Sequence, residues 1–361
     1  MSYENFCQES FIPLITSDDV PGLVDNLYGI AIEGVQELTG YSDKNFYVKV
    51  SQTSVENECS KFVLKITNLE DSRNVGWLDG QTAMMRHMSA QGVACSRPIA
   101  NLNGNYMHLV SMEKNSKGIR KYGTYIVRLL SYMKGEIMAA LEFDSTLLHR
   151  LGVFLAEIKR HFEDFSHEYF KQMDDYEWNL TKIVEIAPSK LAALTDKKRQ
   201  LSESVIDEFR TNVLPKCSQL KEGVIHGDFR PANIVVDYTG DNASLSVIDF
   251  GDSIRSYVLF DLVITLAHTM LYDIDSYLNV ARQVIAGYTS VIQLPTWQIR
   301  LLRTCIQARL VQVLVLCYNR YIELPFNEDY LLGCERQGGW KLVEILHDLS
   351  DTEWLRTVTN S

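Results

Sequence analysis

The sequence lacks the marks of several large protein classes. No C-x-x-C pair occurs, and the seven cysteines, at positions 7, 59, 95, 217, 305, 317 and 334, are odd in number and widely spaced. That argues against a disulfide framework and against a zinc knuckle, and it fits a reducing, cytoplasmic compartment. There is no internal repeat and no low-complexity run. The opening MSYENFCQESF has no basic region followed by an apolar stretch, so no secretory signal is expected. Long apolar runs are also missing. Val258 to Tyr272 is broken by Asp261 and His268, and Ile306 to Tyr318 is short and carries Arg309, so both are expected as core helices and no membrane partner is expected. Positive charge is in deficit: 35 Lys and Arg stand against 46 Asp and Glu, a net charge of −11. A polyanion such as nucleic acid is therefore a poor partner. A cationic small molecule suits the balance, although solubility alone accounts for it as well.

What is present is an ordinary globular composition, 46% apolar and 22% charged, in a chain of 361 residues, long enough for two lobes. From Gly34 to Ile66 the segments GVQELTG, NFYVKV and KFVLKI are short, rich in β-branched and aromatic residues, and separated by polar turns, which predicts three strands. A helix is expected from Leu78 to Gln91, with Gly92 as its stop. The segment YIVRLLSYMKG, 125–135, reads as a buried strand leaving into a connector. Helices are then expected at Thr146–Phe165, Lys197–Leu214, Val258–Met270 and Trp297–Tyr321. One β interruption breaks the helical half: VIHGD and NIVVD, the turn YTGDNAS, and LSVIDFGD form a strand–turn–strand unit. The expected fold is thus α+β, with a small β-rich lobe over 1–132 and a larger helical lobe over 133–361 that carries an embedded hairpin.

The chemistry concentrates in two segments, His226-Gly-Asp228-Phe-Arg230-Pro-Ala-Asn233 and Val247-Ile-Asp249-Phe-Gly-Asp252. Phosphoryl transfer asks for a carboxylate to take or orient a hydroxyl proton, and for oxygen ligands that hold Mg²⁺ against phosphates. Asp228 offers the first. Asn233 begins one strand of the hairpin and Asp249 ends the strand paired with it, so an amide oxygen and a carboxylate meet at its open end, a donor set suited to Mg²⁺. The spacing H-x-D-x-x-x-x-N followed by D-F-G parallels the catalytic and metal-binding loops of protein kinases.

HGDFRPAN with IDFGD resembles the aminoglycoside phosphotransferase and choline kinase superfamily, in which Gly replaces the Arg of the protein kinases. The resemblance implies a bilobal, protein-kinase-like fold, Asp228 as base, Asn233 and Asp249 as metal ligands, and His226 as a brace. Asp261 in FDLV is similar to the family's aspartate that caps amides of the catalytic loop. Arg230 is a catalytic candidate that either neutralises the transferred phosphate or pairs with an acid. In the first lobe Lys65 matches the lysine that holds donor phosphates, with Asp79 or Gln81 in range as its partner. The GYSDKN segment, with Gly40 and Asn45, occupies the phosphate-covering position, and RLLSYMKG resembles the hinge, whose backbone around Leu130 and Tyr132 would meet the purine.

Across nearly the whole chain, YSDKNFYV, FVLKI, YIVRLLSYMKG, YEWNL, VIHGD, IDFGDS and GGWK resemble the hydroxylysine kinase branch of that superfamily. This implies a GTP or ATP donor and the side-chain hydroxyl of 5-hydroxy-L-lysine as acceptor. FRPAN departs from that branch toward the general phosphotransferase wording. An acceptor with two ammonium groups and a carboxylate calls for carboxylates, an aromatic wall and an Arg; Asp252, Trp178, Arg309 and Trp340 are the candidates, with a metal or capping role open for Asp252 and core packing open for the tryptophans. Other amino-alcohol, sugar or aminoglycoside kinases, and a nucleotide-binding pseudokinase scaffold, stay as alternatives.

Overall fold

The structure is a computed structural model that describes residues 7–38, 40, 42–51, 60–116, 119–171, 176–186, 188–239, 242–323 and 327–359. Of the segments singled out above, 1–6, Thr39, Tyr41, Cys59 and the turn residues Gly240 and Asp241 lie outside those described. The chain divides into two compact units, Met1–Met133 and Lys134–Ser361.

The first unit is built on β1 (Cys7–Glu9), β2 (Ile32–Leu38), β3 (Lys44–Val50), β4 (Lys61–Ile66), β5 (Pro98–Ile99), β6 (His108–Ser116) and β7 (Ile119–Ser131). The sheet runs β1-β7-β4-β3-β2, and β5 and β6 also pair with β7. Its helices are α1 (Val20–Tyr28), α2 (Leu69–Ser72) and α3 (Val75–Ala90). Strand alternation sets one face: Phe46 and Val48, then Phe62, Leu64 and Ile66, then Tyr125, Val127 and Leu129 are buried together against Val20 and Val24 of α1. Lys65 lies between two of these core residues and is therefore carried on the other face, where the register sets it opposite Asn45 on β3 and Arg128 on β7. Asn68 and Asn74 start the two helices that follow β4; their side-chain oxygens accept from Asp71 N–H at 3.0 Å and Trp77 N–H at 3.4 Å.

The second unit contains β8 (Glu136–Ile137), α4 (Ser145–Phe162), α5 (Pro188–Ala192), α6 (Asp196–Asn212), β9 (Glu222–Ile225), β10 (Ile234–Thr239), β11 (Asn242–Val247), β12 (Ile254–Tyr257), α7 (Leu259–Thr269), α8 (Tyr277–Thr289), α9 (Thr296–Glu323), α10 (Glu328–Leu331), α11 (Gly333–Arg336), α12 (Gly339–Asp348) and α13 (Asp351–Thr359). Helices α4 and α8 cross closely at Gly152, where a Cβ would stand 2.0 Å from the Val284 carbonyl oxygen. Every residue of α7 is buried. Helix α9 is longer than its apolar run suggests, and it is long and apolar enough to cross a membrane, yet its apolar stretch is almost wholly buried inside the fold. It is a core helix. Its buried Arg303 is held by Glu208 at 2.6 Å and Asp351 at 2.7 Å, which makes the charge tolerable there.

Two small sheets interrupt the helices. The β10–β11 hairpin pairs Ile234 with Val247, and β8 joins its other edge. The second sheet pairs β9 with β12, Ile225 opposite Ile254. The segment 226–233 leaves β9 and enters β10, whereas 248–253 leaves β11 and enters β12. The two pairings thus draw both chemistry-bearing segments to one place.

Candidate active site

Asp261, in the first turn of α7, holds the start of the His226–Asn233 loop. Its two carboxylate oxygens accept the backbone N–H groups of His226 and Gly227, each at 2.8 Å. Its own charge is met by Lys159 of α4, which donates to Oδ2. Both side chains are essentially inaccessible, and burial pulls the Lys159 ammonium below its ordinary pKa. Thr265, one turn along α7, donates to the Phe229 carbonyl at 2.8 Å. The His226 ring is buried and kept neutral, its pKa lowered by burial. Its Nδ1 accepts Asp228 N–H at 3.3 Å, so Nε2 carries the proton and donates to the Ile248 carbonyl at 3.2 Å. The imidazole therefore ties the two chemistry-bearing segments together.

Gly227 is required by shape. It has φ +80°, and a Cβ would stand 1.9 Å from the Asp252 carbonyl oxygen. A bare α-carbon lets the backbone of Asp252 close onto the loop next to Asp228.

The Asp228 carboxylate is oriented by two donors and faces one further cation. Oδ2 accepts from Arg230 Nε and from Asn233 Nδ2, both at 2.8 Å, and Oδ1 lies 3.9 Å from Arg309 Nη2. Burial works to raise this carboxyl, but the Arg230 guanidinium and, further off, Arg309 outweigh it and hold the pKa below its ordinary value. Asn233 Nδ2 also donates to the Asp228 carbonyl at 2.9 Å. Both of its amide bonds go to Asp228, and Oδ1 is left for another partner. Ile248 N–H donates to the Asn233 carbonyl at 3.0 Å, which sets Asn233 beside the stretch leading into Asp249. Asp249 is exposed and has φ +58°, a left-handed conformation that Asp tolerates better than most residues. An amide oxygen and a carboxylate at a hairpin mouth suit a hard, oxygen-seeking divalent cation.

Arg309 of α9 is buried, yet it reaches this cluster. Nη1 donates to the Trp178 carbonyl at 3.2 Å and to Gln312 Oε1 at 3.0 Å, the guanidinium lies 5.5 Å from the Trp178 ring centre, and Nε has no hydrogen-bond partner among the described residues. Asp252 accepts a hydrogen bond from Tyr176 Oη. Burial, helped by the charge of Asp228, pushes its carboxyl up to about 6. Three acceptor candidates, Asp252, Trp178 and Arg309, are therefore gathered around Asp228. Trp340 is not: it is buried on α12 with the Lys198 ammonium 5.4 Å from its ring centre, and no described contact joins it to Asp228.

In the first unit, Lys65 Nζ lies 3.3 Å from Asp43 Oδ2. Asp43 is fixed in turn through Oδ1, which accepts the Asn68 backbone N–H at 2.8 Å and its side-chain Nδ2 at 3.0 Å. Gln81, one of the two partners considered for Lys65, accepts from Arg128 at 3.0 Å, and Asp79, the other, is an exposed residue of α3. Gly40 sits tightly against Asn45, whose Nδ2 would be 2.6 Å from a Cβ at that position. Leu130 pairs with Val63 in the sheet, Tyr132 N–H donates to the Lys61 carbonyl at 3.2 Å, and the Tyr132 ring packs edge-on to Tyr47 at 5.0 Å.

The sequence reading missed Lys159, Tyr176, Asp43, His268 and Tyr330. His268 is buried on α7, its Nε2 has no hydrogen-bond partner among the described residues, and burial, reinforced by the nearby Arg230 charge, lowers its pKa to about 3. The chain order carries no local mark of these contacts, because each partner is distant in sequence or shaped by a loop.

The chain is similar to several known proteins. Residues 34–298 match the model of the phosphotransferase enzyme family. The chain is 30% identical over 347 residues to the hydroxylysine kinase of Xenopus laevis, covering 93% of this chain and 91% of that one. Among solved structures, an amicoumacin kinase in complex with AMP-PNP, Ca²⁺ and its antibiotic superposes with a TM-score of 0.68 at 13% identity, over 94% of this chain and 97% of that one. A microcompartment-associated aminopropanol kinase superposes with a TM-score of 0.62 at 14% identity, over 94% and 99%.

Proposed function

Because this chain belongs to the phosphotransferase enzyme family and is a small-molecule kinase acting on a hydroxyl group with a nucleotide donor and a divalent metal, we propose that its acceptor is 5-hydroxy-L-lysine and that its donor is GTP or ATP held with Mg²⁺. The observation that carries the acceptor is the pairing of opposite charges around one base: the Asp252 carboxyl and the buried Arg309 guanidinium both belong to the Asp228 cluster. A zwitterionic amino acid with a second ammonium group needs both signs. The hydroxylysine kinase of Xenopus laevis, similar over most of both chains, supports the same acceptor.

In this reading Asp228 receives the hydroxyl proton as the acceptor oxygen bonds to the donor's terminal phosphorus and the bond from that phosphorus to the nucleoside diphosphate breaks, and Asn233 and Arg230 keep the carboxylate aimed. Arg309, stacked on Trp178, takes the α-carboxylate, and Asp252 takes an ammonium group. Asn233 Oδ1 and Asp249 would hold the metal, which would supply positive charge at the donor phosphates. Lys65, kept in place by Asp43 or by Asp79 when the donor is bound, holds the donor phosphates, with Gly40 and Asn45 covering them. The backbone around Leu130 and Tyr132 takes the purine. We place the enzyme in the cytoplasm. Steady-state kinetics with ATP and with GTP across hydroxylysine, choline, homoserine, 1-amino-2-propanol and an aminoglycoside test this. A clear preference in kcat/KM for hydroxylysine is expected, and a larger value for any other acceptor overturns the assignment.

A further inference from the structure

We infer that Tyr330 is a positioning residue for phosphoryl transfer, holding the Arg230 guanidinium beside Asp228 so that its remaining N–H groups meet the transferred phosphate. The inference rests on the phosphotransferase reading of the Asp228 cluster and extends it to a segment that the catalytic motifs do not include.

An arginine side chain has many rotamers, and a guanidinium that stabilises a transition state is effective only when it is fixed in advance. Arg230 is fixed at two points. Its Nε donates to Asp228 Oδ2 at 2.8 Å, and its Nη2 donates to Tyr330 Oη at 2.7 Å, with the Tyr330 ring centre 5.6 Å from Cζ. Of its five N–H groups, two are engaged in this way, and the other three have no partner among the described residues. The side chain keeps 22% of its surface exposed. A partly open planar fork with three N–H groups to offer suits an anion with several oxygens, and a terminal phosphate is such an anion.

Tyr330 is itself held, though not by the hydrophobic core, since 40% of its surface is exposed. It sits on α10, whose acidic residues Glu328 and Asp329 both pair with Arg336, and Tyr321 donates to Glu328 at 3.0 Å. These ties fix the helix that presents the phenol. Asp228 alone would leave the guanidinium free to swing about its Nε bond, and Tyr330 supplies the second anchor.

Tyr330→Phe keeps the ring and removes the hydroxyl. Since this charge-assisted hydrogen bond is partly exposed, its loss should cost less than a buried one, and a fall of roughly 3- to 10-fold in kcat is expected. Donor and acceptor KM and the melting temperature should be unchanged. The same substitution in an Arg230→Ala background, followed with radiolabelled donor, should cause no further loss. Hydrogen exchange at Arg230 Nε, read by ¹⁵N NMR, should be faster in Tyr330→Phe than in the parent protein. Equal losses in both backgrounds, a change confined to acceptor KM, unchanged kcat or unchanged exchange each overturn the inference. Asp228→Asn, assayed in parallel, separates the two levels. If it retains near-normal turnover, the phosphotransferase reading of the cluster fails. If it is inactive while Tyr330→Phe behaves as the parent, only the role of Tyr330 fails.

Discussion

Replacing Asp252 by Asn should trade activity for stability. The carboxyl of Asp252 is pushed up to about 6 by burial and by the neighbouring Asp228 charge. An unfolded chain ionises this group near its ordinary value, so the folded state is penalised once the pH rises above that value, and the penalty is complete above about 6. A rise of about two pKa units corresponds to on the order of 2–3 kcal/mol at neutral pH. Asparagine is neutral, and its amide oxygen still accepts from Tyr176, so the variant should melt at the same temperature or higher at pH 7.5. The acceptor contact runs the other way. A carboxylate facing an ammonium contributes about 1.5–3 kcal/mol, so acceptor kcat/KM should fall roughly 10- to 150-fold while affinity for the metal–nucleotide pair is spared. In the parent enzyme acceptor kcat/KM should fall as pH drops through about 6, and the variant should lose that inflection. Calorimetry and pH-dependent kinetics on the same two proteins decide the matter. An unchanged acceptor kcat/KM removes Asp252 from the acceptor site, and a loss accompanied by a lower melting temperature makes its role structural.

Asp249→Ala should weaken binding of the metal–nucleotide pair, because it removes the charged member of the two-oxygen set; titration calorimetry giving parental affinity contradicts that role. Lys65→Ala should raise donor KM or lower donor kcat/KM far more than it affects the acceptor, and the reverse pattern in steady-state kinetics would mean that this strand does not hold the phosphates. Asp261→Asn should cost about 3–5 kcal/mol in urea unfolding, since it strips Lys159 of its counter-charge in a fully buried site and weakens the hold on the His226 and Gly227 amides. A loss below about 1 kcal/mol, the range of an exposed pair, contradicts this.

What could be read from sequence was local. The three strands before Ile66 and the hairpin from Ile234 to Val247 are short runs rich in β-branched and aromatic residues between turn residues, and they form with near-neighbour registers. Asn233 and Asp249 were placed at one end of that hairpin by the same counting. The β9–β12 pairing joins segments 29 residues apart at Ile225 and Ile254 and carries no turn signal, so the closeness of Asp252 to Gly227 was not legible. The acid against Lys65 illustrates a second limit. One described ion pair to Lys65 is made by Asp43, from the loop before β3, which Asn68 braces, and counting along the chain toward the following helix does not look there. Tyr330 is 100 residues from Arg230 and Tyr176 is 76 from Asp252, distances at which composition gives no hint of contact. Trp340 shows the converse: an aromatic that the resemblance raised as a ligand lies in the core beneath Lys198.

The central claim is that Asp228 serves as the base of a hydroxyl-directed phosphoryl transfer, and Asp228→Asn tests it most directly. Asparagine keeps the size of the side chain and one acceptor oxygen, so the fold and nucleotide binding should persist, with a lower melting temperature because the charge that balances Arg230 and Arg309 is gone. A positioned base contributes about 10²–10⁴-fold, so phosphorylation of hydroxylysine, followed with γ-labelled donor, should drop by at least about 100-fold with both KM values little changed. Near-parental kcat in a folded, nucleotide-binding variant would contradict the assignment of Asp228.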